Sequence, residues 1–184
     1  ADNWRSHFKG LPGPQFAVIV GGSSKKTTFT ADMADDLISH AIDAAKAVDG
    51  SLLVTTSRRT GRENEQLIAD RLAQSGISYH LHDWTSDAEN PYFGYLALAD
   101  VLIVTGDSVS MCCEAAAAPG GVYIYAPQGL AARRHQRLHQ ALYDGQYARP
   151  LLDSTELVPF KHPSLQPARA VAQRCLELLS APVS

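Results

Sequence analysis

Residues 105–115 contain the side chains that could bind a phosphorylated ligand at the start of a helix. Gly106 lets the backbone approach a ligand closely, and the free N–H groups of the first helical turn attract an anion. Ser108 and Ser110 add hydroxyl donors. Glu114 follows one helical turn after Ser110, about 6 Å further along the axis, where a carboxylate can accept hydrogen bonds from ribose hydroxyls. The spacing therefore suits a nucleotide diphosphate.

A purely structural role explains the same residues. Asp107, which is also a candidate for ligand binding, or Ser108 would then only cap the helix. Glu114 would be a solvated carboxylate on the helix surface. Both interpretations are open at the level of the sequence.

Ser57, Arg58 and Arg59 follow the second predicted strand. Two arginines flanked by hydroxyl groups form a local anion site in a protein whose formal net charge is -3. A solvated surface pair is the alternative. Their place after a strand puts them on the ligand side of a parallel sheet, which favours contact with phosphate.

Gly21, Gly22 and Ser23 follow the first predicted strand and precede Lys25 and Lys26. This segment lacks both the G-x-G-x-x-G spacing of dinucleotide-binding loops and the Walker A pattern. It is compatible with a generic backbone nest that binds phosphate. The three small residues are therefore candidates for ligand binding.

Other polar clusters predict less. His80 and His82 share one strand face, and His135 and His139 share one helix face, but neither pair has an obvious third ligand. We therefore expect no metal site and no cofactor. The basic run 133–137 lacks interleaved aromatic residues, so it is interpreted as a solvated face, and no nucleic-acid partner is predicted.

Composition limits the class of protein. The chain has 184 residues, of which 45% are hydrophobic and 19% charged, and this suits one folded domain with a full core. No apolar run is long enough to span a bilayer, so integral membrane association is not expected. The three cysteines form a poor disulfide framework. A reducing, cytoplasmic location is predicted.

The elements that position the candidate loops alternate between strand and helix. Predicted strands cover 16–20, 51–56, 77–84, 101–105 and 122–125, and predicted helices cover 31–49, 63–75, 90–98, 108–118, 130–143 and 167–179. This order predicts a Rossmann-like α/β three-layer sandwich with a mainly parallel sheet of five or six strands. In the common order 3-2-1-4-5, the carboxyl ends of strands one and four meet at the topological switch point, where ligands bind. Residues 1–15 lack periodicity and are predicted to be a linker.

Several short strings occur in an order that is characteristic of one family. They are Val18–Gly22, Thr55–Thr60, Asn90–Tyr92, Leu98–Asp100 and Thr105–Met111 with Glu114 and Ala115. Together they resemble the bacterial proteins related to the plant "elongated mitochondria" fission factor, from about Phe16 to the final predicted helix. Two departures are small: Gly61 stands where that family often has proline, and residues 118–121 replace a Thr-Gly-Lys-Pro turn.

The resemblance implies a longer protein in which another α/β domain precedes this region, as in the two halves of GT-B glycosyltransferases. Residues 16–184 would then be the C-terminal domain, which binds a nucleotide-diphosphate sugar, and the N-terminal domain would be absent from this chain. By that analogy Gly106, Ser108, Ser110 and Glu114 bind the donor, with Arg58 near the diphosphate. The isolated chain is expected to be inactive. Two alternatives are a non-catalytic adaptor of the fission-factor type and a sugar-nucleotide epimerase on the same scaffold.

Overall fold

The computed structural model describes residues 2–166. Its strands are β1 (Gln15–Ile19), β2 (Ser51–Thr55), β3 (Ser78–His82), β4 (Val101–Thr105), β5 (Gly121–Tyr125) and β6 (Arg149–Pro150). Its helices are α1 (Asp2–Phe8), α2 (Ala31–Ala47), α3 (Arg62–Ser75), α4 (Tyr92–Leu98), α5 (Val109–Ala117) and α6 (Arg133–Asp144).

All six strands pair in parallel in the order β3-β2-β1-β4-β5-β6. Val18 of β1 lies opposite Val54 of β2 on one side and Ile103 of β4 on the other. The Rossmann-like α/β prediction is therefore confirmed, and β1 and β4 flank the switch point as expected. The third strand is at an edge, which agrees with its less apolar sequence.

Side chains of the central strands alternate between two hydrophobic cores, one on each face of the sheet. Val18 packs in the core that contains Leu37 of α2, whereas Ile19 packs in the core that contains Tyr95 of α4. Each large side chain that is fully buried in this way stabilises the fold by about 1.5–3 kcal/mol. The two cores hold the strands rigidly and so fix where their carboxyl-end loops begin.

Helix boundaries follow local chemistry. Thr30 caps α2, since its hydroxyl accepts a hydrogen bond from the Met33 N–H at 3.2 Å. Gly76 ends α3 with a φ of +74°, a conformation that glycine adopts without strain. The helix predicted at 167–179 lies outside the described residues.

The prediction of a linker over residues 1–15 is corrected by helix α1. Phe8, the last residue of α1, is only 1% exposed, and its ring centroid lies 5.4 Å from that of Tyr95. A helix of seven residues is too short to show a hydrophobic period in sequence. Its burial depends on a contact with α4, which is remote in the chain.

Within residues 2–166, no helix is both long enough and apolar enough to cross a membrane.

Candidate functional site

The loops that follow β1 and β2 are bound together by hydroxyl groups and backbone. The Ser57 hydroxyl donates to the Gly21 carbonyl at 2.5 Å, and the Thr60 hydroxyl donates to the same carbonyl at 2.8 Å. The Ser23 N–H donates to the Arg59 carbonyl at 2.8 Å. Four of the sequence candidates, Gly21, Ser23, Ser57 and Arg59, therefore take part in contacts between the two loops.

Gly22 lies where the two loops touch most closely. Its φ is +138°, and a Cβ atom at this position would lie 2.0 Å from the Arg59 carbonyl oxygen. L side chains rarely adopt this φ, and no side chain fits in the space that remains. Glycine is thus required here for loop contact.

Asp107 connects the loop after β4 to the other two. Its side chain is completely buried, and Oδ2 lies 2.7 Å from Arg59 Nη1 and accepts a hydrogen bond from the Gly22 N–H at 3.1 Å. The other oxygen, Oδ1, is buried without a hydrogen-bond partner in the described part of the chain. Ser108 rather than Asp107 is the N-cap of α5, and the ligand role of Asp107 stays a prediction. The carboxylate fixes the guanidinium of Arg59.

The sequence named both arginines of the pair, and the structure places them differently. Arg59 is held by Asp107, whereas Arg58 is exposed and makes no hydrogen bond or ion pair within residues 2–166. Arg59 is therefore the better-positioned candidate for a ligand at the switch point.

The start of α5 has the structural role that was considered as an alternative. Ser108 is the N-cap, and its hydroxyl accepts from the Met111 N–H at 3.5 Å. Its oxygen also lies 3.2 Å from the Ser110 hydroxyl. Ser110 is exposed, so it is accessible for a further contact. The other backbone N–H groups of the first turn have no acceptor within the helix and can donate to a ligand.

Glu114 is bound by a tyrosine rather than by a cation. The Tyr92 hydroxyl, at the start of α4, donates to Glu114 Oε2. Burial raises the pKa of Tyr92 far above its ordinary value, and the hydrogen bond to Glu114 raises it further. Tyr92 therefore stays a donor, and Glu114 Oε1 is left without a partner in residues 2–166. Sequence analysis did not identify Tyr92, because its contact joins two helices that are distant in the chain.

A cavity of about 710 Å³ opens beside these loops at the switch point. We call it the switch-point cavity. Its lining residues are Ser24, Lys25, Lys26, Thr27, Arg59, Asp107, Ala132, Arg133, Arg134 and His135. The lining contains five permanent cations and one carboxylate, although the whole chain has a net charge of -3. Such a local excess of positive charge attracts anions.

The sequence analysis did not predict that Arg133 and Arg134 line the switch-point cavity. Both are exposed, as the predicted solvated face requires, but they also line the switch-point cavity. They do so because α6 begins at Arg133, three residues later than predicted, just after the β5–α6 loop. The parallel order of the sheet could have indicated this, since that loop emerges at the same edge as the loops after β1 and β4.

The side chain of His139, in α6, packs against Gly106 in the loop that follows β4. It is 3% exposed, and a Cβ atom on Gly106 would lie 2.5 Å from its Cε1 atom. Gly106 therefore permits contact with a buried imidazole, in addition to the approach to a ligand that the sequence suggests. Burial is the main cause that lowers the pKa of His139 below its ordinary value.

Because the pKa of His139 is lowered in the folded chain, we expect the free energy of unfolding to fall at acid pH. In the unfolded chain the imidazole takes up a proton near pH 6.5, whereas in the folded chain it does so only at a lower pH. The unfolded state binds more protons in this interval, so stability falls as the pH falls below about 6.5, by at most about 1.4 kcal/mol per pH unit. Urea unfolding at pH 7.5 and pH 5 should give a smaller difference for His139→Gln than for the unmodified chain. An unchanged difference would contradict this role.

Comparison with known proteins decides the family. The family model described as "Mitochondrial fission ELM1" matches residues 1–179. The chain belongs to this family. This ELM1-family chain is 32% identical to mitochondrial fission protein ELM1 of Arabidopsis thaliana over 124 residues, which cover 67% of the chain and 28% of that protein. It is also 32% identical to an uncharacterised protein of Rickettsia prowazekii (strain Madrid E) over 160 residues, which cover 85% of the chain and 44% of that protein.

The ELM1-family chain thus spans less than half the length of either relative. Among solved structures, that of MAR1 ribonuclease from Caenorhabditis elegans aligns with a TM-score of 0.42 and 13% identity, covering 94% of each chain. A likeness this distant carries no conclusion about function.

Proposed function

We propose that the switch-point cavity binds the diphosphate of a nucleotide-diphosphate sugar, and that this chain is the donor-binding domain of a GT-B-like glycosyltransferase. The observation that carries the proposal is the guanidinium of Arg59, fixed by buried Asp107 in the wall of a cationic cavity at the switch point. Open α/β sheets bind their ligands at this position.

Electrostatics supports a phosphate ligand. A guanidinium forms charge-assisted hydrogen bonds with phosphate oxygens, and Asp107 restricts the rotamers of Arg59 before any ligand arrives. The exposed hydroxyl of Ser110 and the first turn of α5 would add donors beside it. As a donor reacts, negative charge grows on the departing diphosphate, and the same groups would stabilise that charge.

The carboxylate of Glu114 supports a ligand that also carries hydroxyl groups. Glu114 Oε1 is available to accept a hydrogen bond, because Tyr92 occupies only Oε2. Ribose and sugar hydroxyls are donors of the kind that such oxygens require.

A second candidate function follows from the name of the Arabidopsis relative. A non-catalytic adaptor in mitochondrial fission needs no ligand in the cavity, so binding experiments separate it from the donor-binding proposal. A sugar-nucleotide epimerase would use the same pocket and differs only in the product. The free thiols of Cys112 and Cys113 support the expectation of a reducing, cytoplasmic compartment.

Thermal unfolding with a panel of nucleoside diphosphates and their hexose conjugates tests the proposal. At a ligand concentration 100 times the dissociation constant, binding stabilises the folded state by about 2.7 kcal/mol, which raises the midpoint by several degrees. We expect this rise for at least one base. A panel in which no nucleotide shifts the midpoint would favour the adaptor.

Glu114→Gln should weaken discrimination between ribonucleotides and deoxyribonucleotides. A hydrogen bond to a charged group contributes about 1.5–3 kcal/mol, so we expect roughly a tenfold or greater loss of the ribose preference. Calorimetric titration with each nucleotide measures it.

Tyr92→Phe is the matched control for this variant, since it removes the hydroxyl that holds Glu114 and keeps the carboxylate. It should reduce the ribose preference less than Glu114→Gln does. A lowered melting temperature of Glu114→Gln with an unchanged ribose preference would assign Glu114 a structural role instead.

A further inference from the structure

The switch-point cavity contains more positive charge than a donor diphosphate needs, because four cations line it in addition to Arg59. Lys25 and Lys26 come from the β1–α2 loop, and Arg133 and Arg134 come from the first turn of α6. None of the four forms an ion pair with any residue in the range 2–166, whereas Arg59 is already paired with Asp107. A nucleotide-diphosphate sugar carries one negative charge on each phosphate, so a surplus of positive charge remains when it is bound.

Unsatisfied donors lie beside the same cations. Ala132, the N-cap of α6, has no side chain that can cap the helix, so the first N–H groups of α6 receive no side-chain acceptor. The Arg134 Nε donates to His135 Nε2 at 3.2 Å, which leaves the proton of the neutral imidazole on Nδ1. That Nδ1 is buried without an acceptor in the described part of the chain. An anion in the cavity would accept hydrogen bonds from the exposed guanidinium groups of Arg133 and Arg134.

We infer that Lys25, Lys26, Arg133 and Arg134 bind a second anionic group, a phosphate or a carboxylate, at the same time as the donor diphosphate. This inference rests on the proposed function and specifies its substrate class: either the acceptor or the transferred sugar is phosphorylated or acidic. Like charges gathered around one cavity repel one another, and a bound anion removes that repulsion. The shape of the site supports this, because the four side chains come from two segments that converge on the cavity from separate parts of the chain.

Calorimetric titration with inorganic phosphate tests the inference directly. Phosphate is titrated into the free protein and into protein saturated with the nucleoside diphosphate that binds most tightly. We expect phosphate to bind in both cases with affinities within threefold of each other. Lys25→Ala/Lys26→Ala should weaken phosphate binding at least tenfold more than it weakens nucleotide binding.

Lys46→Ala/Lys161→Ala is the control with the same loss of charge. Lys46 lies in the last turn of α2, and Lys161 lies beside the residues that precede β4 and β5, so both are at the amino-end edge of the sheet. This double variant should bind phosphate within twofold of the unmodified chain. An equal loss in both double variants would mean that only net charge matters, which would overturn the inference.

The titrations separate the two proposals. If the nucleotide binds but displaces phosphate completely, the second anion site is wrong and the donor function stands. If no nucleotide binds but phosphate binding still depends on Lys25 and Lys26, the donor function is wrong and the anion site stands.

A comparison of two nucleotide sugars shows which substrate carries the anionic group. The protein is titrated with the uronate conjugate and with the hexose conjugate of the nucleotide that binds. A tenfold preference for the uronate that Lys25→Ala/Lys26→Ala abolishes places the charge on the sugar, and equal binding places it on the acceptor.

Discussion

Gly22→Ala should destabilise the protein by about 3 kcal/mol or more, the largest effect that we expect from adding one methyl group. The methyl carbon would lie 2.0 Å from the Arg59 carbonyl oxygen, and the φ of +138° is unfavourable for alanine by itself. Backbone strain of this kind costs about 1–3 kcal/mol, and the overlap forces the β1 and β2 loops apart in addition. Urea unfolding measures the loss.

Gly61→Ala is the matched control for backbone strain. Gly61 also has a positive φ, +83°, but a Cβ atom there would meet nothing within 4 Å. This variant should lose only about 1–2 kcal/mol, the cost of backbone strain at a positive φ without steric overlap. Equal losses in the two variants would show that contact between the two loops does not determine stability.

Asp107→Ala should lower the free energy of unfolding by about 2–3 kcal/mol and, at the same time, increase the affinity for phosphate. The substitution leaves the Gly22 N–H without its acceptor and Arg59 without its partner. Removal of one member of a buried ion pair costs about 3–5 kcal/mol, and we expect less because Arg59 is 38% exposed and can turn to water. Phosphate affinity rises because the only carboxylate in the lining is lost.

Asp107→Asn separates the two contributions of the carboxylate. Its amide oxygen can still accept a hydrogen bond from the Gly22 N–H, but the neutral side chain no longer forms an ion pair with Arg59. We expect a stability between those of the unmodified chain and Asp107→Ala, with a gain in phosphate affinity similar to that of Asp107→Ala. A loss of stability with a gain in affinity would show that the negative charge of Asp107 opposes phosphate more than its contact with Arg59 favours binding. A variant that loses phosphate binding while it remains folded would contradict this expectation and show that the position of Arg59, which Asp107 fixes, determines the affinity.

The fold could be predicted because its determinants are local. The continuous apolar run that forms β1 and the helical period of α2 are visible in the sequence, and alternation of such segments restricts the topology to few choices. Helix α1 was missed for the opposite reason. Its stability depends on Phe8 packing against Tyr95, a tertiary contact that no local pattern reports.

The candidate site was predictable in position and not in detail. Parallel topology alone brings Gly22, Arg59 and Asp107 to one edge of the sheet. Which of two adjacent arginines meets a carboxylate depends on the turn geometry, and the sequence gives no signal for this. The contribution of Arg133 could have been derived from strand order, but an exposed basic run looks the same in sequence whether it borders a cavity or open solvent.

A crystal structure of the chain with its most tightly bound nucleoside diphosphate tests the central claim most directly. The measured quantity is the distance from the nearest phosphate oxygen to the guanidinium nitrogens of Arg59. We expect about 2.7–3.2 Å, with the ribose directed to Glu114 and the switch-point cavity partly filled. A nucleotide bound away from the carboxyl ends of β1 and β4, or a cavity left empty at saturating nucleotide, would contradict donor binding at the switch point.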